Sequence, residues 1–173
     1  QRRAMEVPKG QMRARIADAL GIEDRYGTWV VYTTHSGNSA FLFRAIQKAL
    51  LAIPDGLLVV KLHPDESPAF YCDNLLETAR DRVVIVKHGD ATGLFKLFRA
   101  SDIVMTRFSS TALDALAAGI PLMLVDVDPE LRKRLPERFD FGRYGVVVPK
   151  DQTSLNAALH RFATDSRARQ EAS

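Results

Sequence analysis

Short apolar runs rich in β-branched residues alternate with amphipathic stretches along most of the chain, and this alternation restricts the fold more than any other feature. The runs TWVVYTT (28–34), GLLVVKL (56–62), VVIVK (83–87), DIVMT (102–106), PLMLVDV (121–127) and GVVVP (145–149) are close to continuously apolar. A strand with one wet face alternates polar and apolar residues; a strand covered on both faces does not. Between the runs, SAFLFRAIQKALLAI places Phe41, Ala45 and Ala49 beside Leu42, Ile46 and Leu50 on one broad helical face. Met12–Leu20, ended by Gly21, DNLLETAR (73–80), a segment from about Thr92, STALDALAA ended by Gly119, and about Thr153–Ala163 read as further helices. The expected fold is therefore α/β, a single doubly wound parallel sheet with helices on both faces.

A chain of 173 residues with 46% hydrophobic content buries a real core but leaves no room for two ordinary domains. Lys and Arg number 24 against 21 Asp and Glu, a net charge of +3, and apart from small groups such as Arg132-Lys133-Arg134 the basic residues are scattered. That balance mildly favours anions and argues against a nucleic-acid partner. No apolar run approaches membrane-spanning length, so no transmembrane segment is expected. The single Cys72, beside Phe70 and Tyr71, excludes an internal disulfide and a cysteine-based metal cluster, and a cytoplasmic setting fits. Residues 1–27 read as a polar segment and short helix serving as an inter-domain linker, 28–165 as the domain proper and 166–173 as a polar tail. The opening QRRAMEVPKGQ has the look of a piece cut from something longer.

Two motifs carry chemistry. In TRFSSTALDALAAGIP (106–121) a strand turns sharply into a helix whose start holds Ser109, Ser110 and Thr111. Open N–H groups and the positive end of the helix dipole favour an anion there, so the hydroxyls cap the helix, bind a phosphate, or do both. In KLHPDE (61–66) the strand GLLVVKL delivers His63 and Pro64 to its carboxyl end, where His63 is either a ligand-facing side chain or a structural histidine and Pro64 either belongs to that site or only forms a turn. Ligands of open parallel sheets bind outside the carboxyl ends of strands, so both motifs point at one crevice. His35-Ser36-Gly37-Asn38 either offers N–H groups to a phosphate at a second helix start or caps that helix through Ser36 or Asn38. His88, in KHGDATG, is either beside a bound base or a solvated loop residue; Arg107 clamps a phosphate or lies on the surface, and His160 reads as structural.

The HP pair after one strand, followed about 45 residues later by SSTALDALAAGIP after another, resembles the carboxyl-terminal, Rossmann-like half of GT-B glycosyltransferases. More narrowly it resembles the bacterial surface-polysaccharide branch: capsule enzymes, CDP-glycerol glycerophosphotransferases, and sialyl- and polysialyltransferases. The resemblance runs over roughly residues 28–165 and implies a Rossmann-like domain that binds the phosphate of a nucleotide-activated sugar or polyol of CMP, CDP or UDP type. It implies that the pair His63 and Pro64 belongs to the phosphate site, with His63 against the donor phosphate and assisting the leaving group, that Ser109 and Ser110 hydrogen-bond that phosphate, and that Asp114 holds ribose hydroxyls. Many GT-B members carry Glu at the ribose position, and the glycerophosphotransferases commonly have Asp-Tyr where this chain has Arg107-Phe108. The acceptor-binding amino-terminal half is missing, so this domain by itself is expected to bind donor and catalyse little. Residence in the cytoplasm, with peripheral association at the inner face of the membrane, is compatible with such a role.

No cofactor and no metal site is expected. Asp126-Val127-Asp128 has the D-x-D form of a metal site in other folds, but Asp128 precedes Pro129 and is explained as a helix cap followed by proline at the first helical position. A P-loop, a dinucleotide fingerprint and a nucleophile elbow are absent. Two alternatives share the fold: a non-hydrolysing nucleotide-sugar 2-epimerase, and a non-catalytic interaction module with an empty crevice.

Overall fold

The computed structural model describes residues 7–23, 25–37, 39–90, 92–107, 109–125 and 141–165. Five strands, β1 (Thr28–Thr33), β2 (Gly56–Lys61), β3 (Val83–Val86), β4 (Ile103–Thr106) and β5 (Leu122–Leu124), form one sheet in the order β3-β2-β1-β4-β5. Every pairing is parallel. Helices α1 (Lys9–Leu20), α2 (Ala40–Leu50), α3 (Pro68–Asp73), α4 (Leu94–Ala100), α5 (Ser110–Ala117) and α6 (Gln152–Thr164) cover it. The expected α/β, doubly wound parallel sheet with helices on both faces is what the chain forms.

The continuous apolar runs are explained by the two cores they separate. Val30, Tyr32, Leu58, Val60, Ile103 and Met105 face a layer that includes Leu42, Phe43 and Ile46 of α2 and Leu155, Leu159 and Phe162 of α6. The alternate residues Trp29, Val31, Leu57, Val59 and Val104 face Met12 and Ile16 of α1, Leu97 and Phe98 of α4, and Ala112 and Ala115 of α5. β1, β2, β4 and β5 thus spend both faces on burial, and the edge strand β3 is half-buried on both, which removes the period-two signal.

Asp102, one residue before β4, ties α1 to this second layer. Its carboxylate accepts from Lys9 Nζ at 2.6 Å, Arg13 Nη2 at 2.6 Å and the Trp29 N–H at 2.8 Å. Arg13 also donates to the carbonyls of Ala100 and Gly27 and sits 5.2 Å above the centre of the Trp29 ring.

Two expectations need correction. The helix expected over 73–80 is absent: α3 ends at Asp73, and Glu77–Arg82 forms a 3₁₀ turn. Ser67 caps α3 and Pro68 pre-sets its first turn, so the helix starts earlier than its apolar pattern suggests. The break that follows is held by Gln47, wholly buried on α2, which accepts from Leu76 N–H at 2.7 Å and donates to the Asn74 carbonyl at 3.1 Å. The sixth strand expected over 145–149 shrinks to a single parallel bridge between Val147 and Met123, where Val147 exchanges hydrogen bonds with Leu122 and Leu124. Asp126-Val127-Asp128 lies outside the described residues.

Candidate functional site

Because all five strands run in parallel, their carboxyl ends share one edge of the sheet. β1 pairs with both β2 and β4, yet its own connection leads through α2 toward β2, while that of β4 leads through α5 toward β5. The adjacent loops after β1 and β4 therefore diverge, and the gap between them is the topological switch point at which such sheets bind ligands. The two loops face each other across it: a Cβ built on Gly37 would stand 4.0 Å from Nη1 of Arg107. Gly37 has φ +103°, a conformation that suits glycine and few other residues.

A cavity of about 420 Å³ opens beside this point, lined by Thr33, Thr34, Lys61, Leu62, His63, Pro64, His88, Gly89, Asp90, Gly93, Leu94 and Thr111. Of the residues singled out from sequence, His63, Pro64, His88 and Thr111 lie on its wall. Ser36, Gly37, Ser109, Ser110 and Asp114 do not line it. Ser36 and Gly37 are exposed in the loop after β1; Ser109 is half-buried at the cap position of α5, Ser110 is exposed, and Asp114 is half-buried one turn into that helix. Ser109 reaches the wall indirectly: its Oγ is 3.3 Å from Thr106 Oγ1, which contacts the Thr33 carbonyl at 3.5 Å.

His63 is held by its surroundings. Its N–H donates to Thr34 Oγ1 at 2.8 Å and lies 3.4 Å from Glu66 Oε2, while Glu66 accepts from the Thr34 hydroxyl and, at 3.0 Å, from the Tyr71 hydroxyl. Burial of Tyr71, with the neighbouring charges of Tyr32 and Glu66, pushes its phenol well above the ordinary value and keeps it a donor. The imidazole Nδ1 lies 3.3 Å from the Asp65 N–H and 3.4 Å from the Asp65 carboxylate, so both polar groups of Asp65 hold the ring in place. His35 lies opposite, ring centres 6.1 Å apart and planes inclined by 30°. Its Nδ1 is 2.9 Å from the Ser36 carbonyl, which only accepts, so a neutral His35 exposes an Nε2 lone pair. Two imidazoles thus face each other at the crevice.

The structure adds polar residues that were not singled out in the sequence. Lys61, Thr33 and Thr106 stand at the carboxyl ends of β2, β1 and β4 and are direct partners in the ladder. All three are buried, exposed by 8%, 4% and 1%, and share the α4/α5 side of the sheet. Lys61 Nζ donates to the Lys87 carbonyl. Burial lowers its pKa from the ordinary lysine value, and the nearby Asp90 charge acts in the opposite direction. Asp90 in turn accepts from the Lys87 N–H at 2.9 Å. The signal for Lys61 was present: a single cation inside GLLVVKL is out of place in a strand buried on both faces. Among the described residues no group of His, Cys, Asp or Glu is arranged to hold a metal ion, and no helix is long and apolar enough to cross a membrane.

The fold and its crevice define a Rossmann-like domain of the kind found in GT-B enzymes. Its solved structural neighbours include the wall teichoic acid polymerase TagF soaked with CDPG, at TM-score 0.67 and 16% identity, covering 94% of this chain and 38% of that one. MnaA of S. aureus in complex with UDP matches at TM-score 0.64 and 16% identity over 91% of this chain and 42% of that one. The UDP-GlcNAc 2-epimerase of Neisseria meningitidis bound to UDP-GlcNAc matches at 0.66 and 14% identity over 92% and 42%. The chain thus spans about two fifths of the length of these proteins. No protein-family model and no curated protein matches the sequence.

Proposed function

We propose that this domain binds the nucleotide phosphate of an activated sugar or polyol, as the donor half of a cytoplasmic transferase of bacterial surface-polysaccharide synthesis. The observation that carries this reading is the convergence of the β2 loop bearing His63 and the start of α5 bearing Thr111 on one cavity at the switch point. In the proposed arrangement the first turn of α5, with Ser109, Ser110 and Thr111, receives the phosphate, and Asp114 accepts from ribose hydroxyls one turn further on. His88 and its loop lie toward the base. When the donor bond breaks, its electron pair stays on a phosphate oxygen of the departing nucleotide; His63, entering the step as the imidazolium, passes a ring proton to that oxygen and is left neutral. The acceptor and the base that deprotonates it come from a partner half of the protein.

Titration calorimetry of the domain with CMP, CDP, UDP and GDP tests this, with saturable binding of at least one expected and no binding of any overturning it. Binding is also expected to survive EDTA unchanged, since the phosphate charge is met by N–H groups, hydroxyls and His63; loss on chelation with rescue by magnesium or manganese would point to a metal instead. A 2-epimerase reading is favoured by the match to the UDP-GlcNAc 2-epimerase of Neisseria meningitidis, whose TM-score of 0.66 is close to the 0.67 of TagF. Product analysis with the longer protein separates the two: a sugar inverted at C2 and still joined to nucleotide marks the epimerase, and free nucleotide with an extended acceptor marks the transferase.

A further inference from the structure

We propose that Lys61 and Thr33 form a second anion subsite on the cavity floor, separate from the start of α5, which takes a further negatively charged group of the bound nucleotide compound. This deepens the donor reading and rests on it: the preferred ligand carries either a second phosphate or a sugar carboxylate in addition to the first phosphate. Thr33 Oγ1 is buried and has no hydrogen-bond partner, although Thr33 is only 4% exposed and lines the cavity. Valine has the same shape and would fill the position with no orphaned hydroxyl, whose burial is unfavourable. Its ladder neighbour Lys61 brings a cation to the same floor, buried at the end of an otherwise apolar strand.

An ammonium group has three donors, and the Lys87 carbonyl takes one. The facing acid, Asp90, is exposed and turned to the Lys87 N–H. A compact anion would gain the remaining Lys61 donors together with the Thr33 hydroxyl, and Thr111 of α5 stands on the same wall. Beneath the cavity the ladder row Lys61-Thr33-Thr106 continues through the Thr106–Ser109 contact, and at its surface Thr111 connects the floor to the helix start where the first phosphate is placed. Neighbouring strands lie about 4.8 Å apart, so Thr33 is one strand and Lys61 two strands from the β4 end that leads to α5, a span that one ligand with two anionic groups can bridge.

The test compares CMP and UMP, each with one phosphate, with CDP, UDP and CMP-sialic acid by calorimetry, in the wild type and in Lys61→Met and Thr33→Val. Ligands with a second anionic group are expected to bind the wild type at least tenfold tighter than their monophosphates. CDP and UDP showing that advantage identify a second phosphate; CMP-sialic acid alone showing it identifies a carboxylate. Each variant is expected to reduce the advantage to less than threefold while CMP affinity stays within twofold. Thr33→Val removes a hydroxyl with no role in folding and is expected to melt no lower than the wild type, so it carries the test even where Lys61→Met fails to fold. Monophosphates binding as tightly as the doubly charged ligands, or variants that keep the full advantage, overturn the subsite. Should no nucleotide bind, the donor reading fails, and pyrophosphate followed by ³¹P NMR decides the subsite: binding lost in Thr33→Val upholds it, and no binding overturns it.

Discussion

Replacing Ser109 and Ser110 together by alanine is expected to weaken nucleotide binding at least tenfold while the fold survives. Ser109 occupies the cap position of α5, yet its side chain makes no capping hydrogen bond; its Oγ lies instead against Thr106 Oγ1. Ser110 is exposed in the first turn. Neither hydroxyl is committed to holding the helix, so their loss has little effect on stability. A hydrogen bond to a charged group contributes about 1.5–3 kcal/mol, and a factor of ten corresponds to about 1.4 kcal/mol. Loss of even one such bond therefore meets the expected change. Calorimetry on the double variant, with circular dichroism as the folding control, checks it; unchanged affinity in a folded protein removes the serines from the site and leaves the phosphate elsewhere on the cavity wall.

Asp102→Ala is expected to lower stability by about 2–3 kcal/mol at neutral pH, because it strands the Trp29 N–H and the half-buried Arg13 that the carboxylate now serves. For a domain of this size that is a fall of about 5–10 °C in melting temperature. Burial pushes the Asp102 carboxyl up, but the hydrogen bonds from Lys9 and Trp29 and the charges of Arg13 and Lys9 outweigh it and hold its pKa below the ordinary value. A carboxylate with a depressed folded pKa contributes stability above its unfolded value of about 3.9, and that contribution fades as pH falls through the folded value. The stability gap between the wild type and Asp102→Asn should therefore be full at pH 7 and narrow below about pH 4. A gap independent of pH would assign the effect to shape and not to charge. Thermal melts across that range make the measurement.

The sheet was legible in the sequence because burial on both faces leaves a local mark, the uninterrupted apolar run, which needs no knowledge of partners. What depends on distant partners was not. DNLLETAR has the spacing of a helix, and the 3₁₀ turn that forms there exists because Gln47, buried on another helix, bonds the chain at Asn74 and Leu76. GVVVP reads as a strand as well as any other run, but only Val147 finds a ladder partner. The same divide runs through the site. His63, Pro64 and the serines stand in local motifs at strand ends and were visible. Thr33 and Lys61 become neighbours only through the β1–β2 register, and Glu66 gains its place under His63 from Thr34 and Tyr71. Thr33 carries no local signal at all, since threonine is at home in any strand.

The position of β1 at the centre of the sheet also has a consequence for the order of assembly. β1 meets β2 across the short α2 connection, but the Trp29–Asp102 bond that opens its pairing with β4 joins residues 73 apart in sequence. Closing the longer loop costs more chain entropy, which favours formation of the β1-α2-β2 unit before β4 docks. The switch-point crevice is the seam along which that docking occurs, so its far wall, with Thr111 of α5, is added only when β4 and α5 are in place. The same seam would be an early route of local opening in the native state, and a ligand seated across it opposes that opening. In hydrogen exchange, nucleotide should therefore slow the amides of β4 and β5 more than those of β2 and β3, so that occupancy of the crevice is read as closure of the sheet.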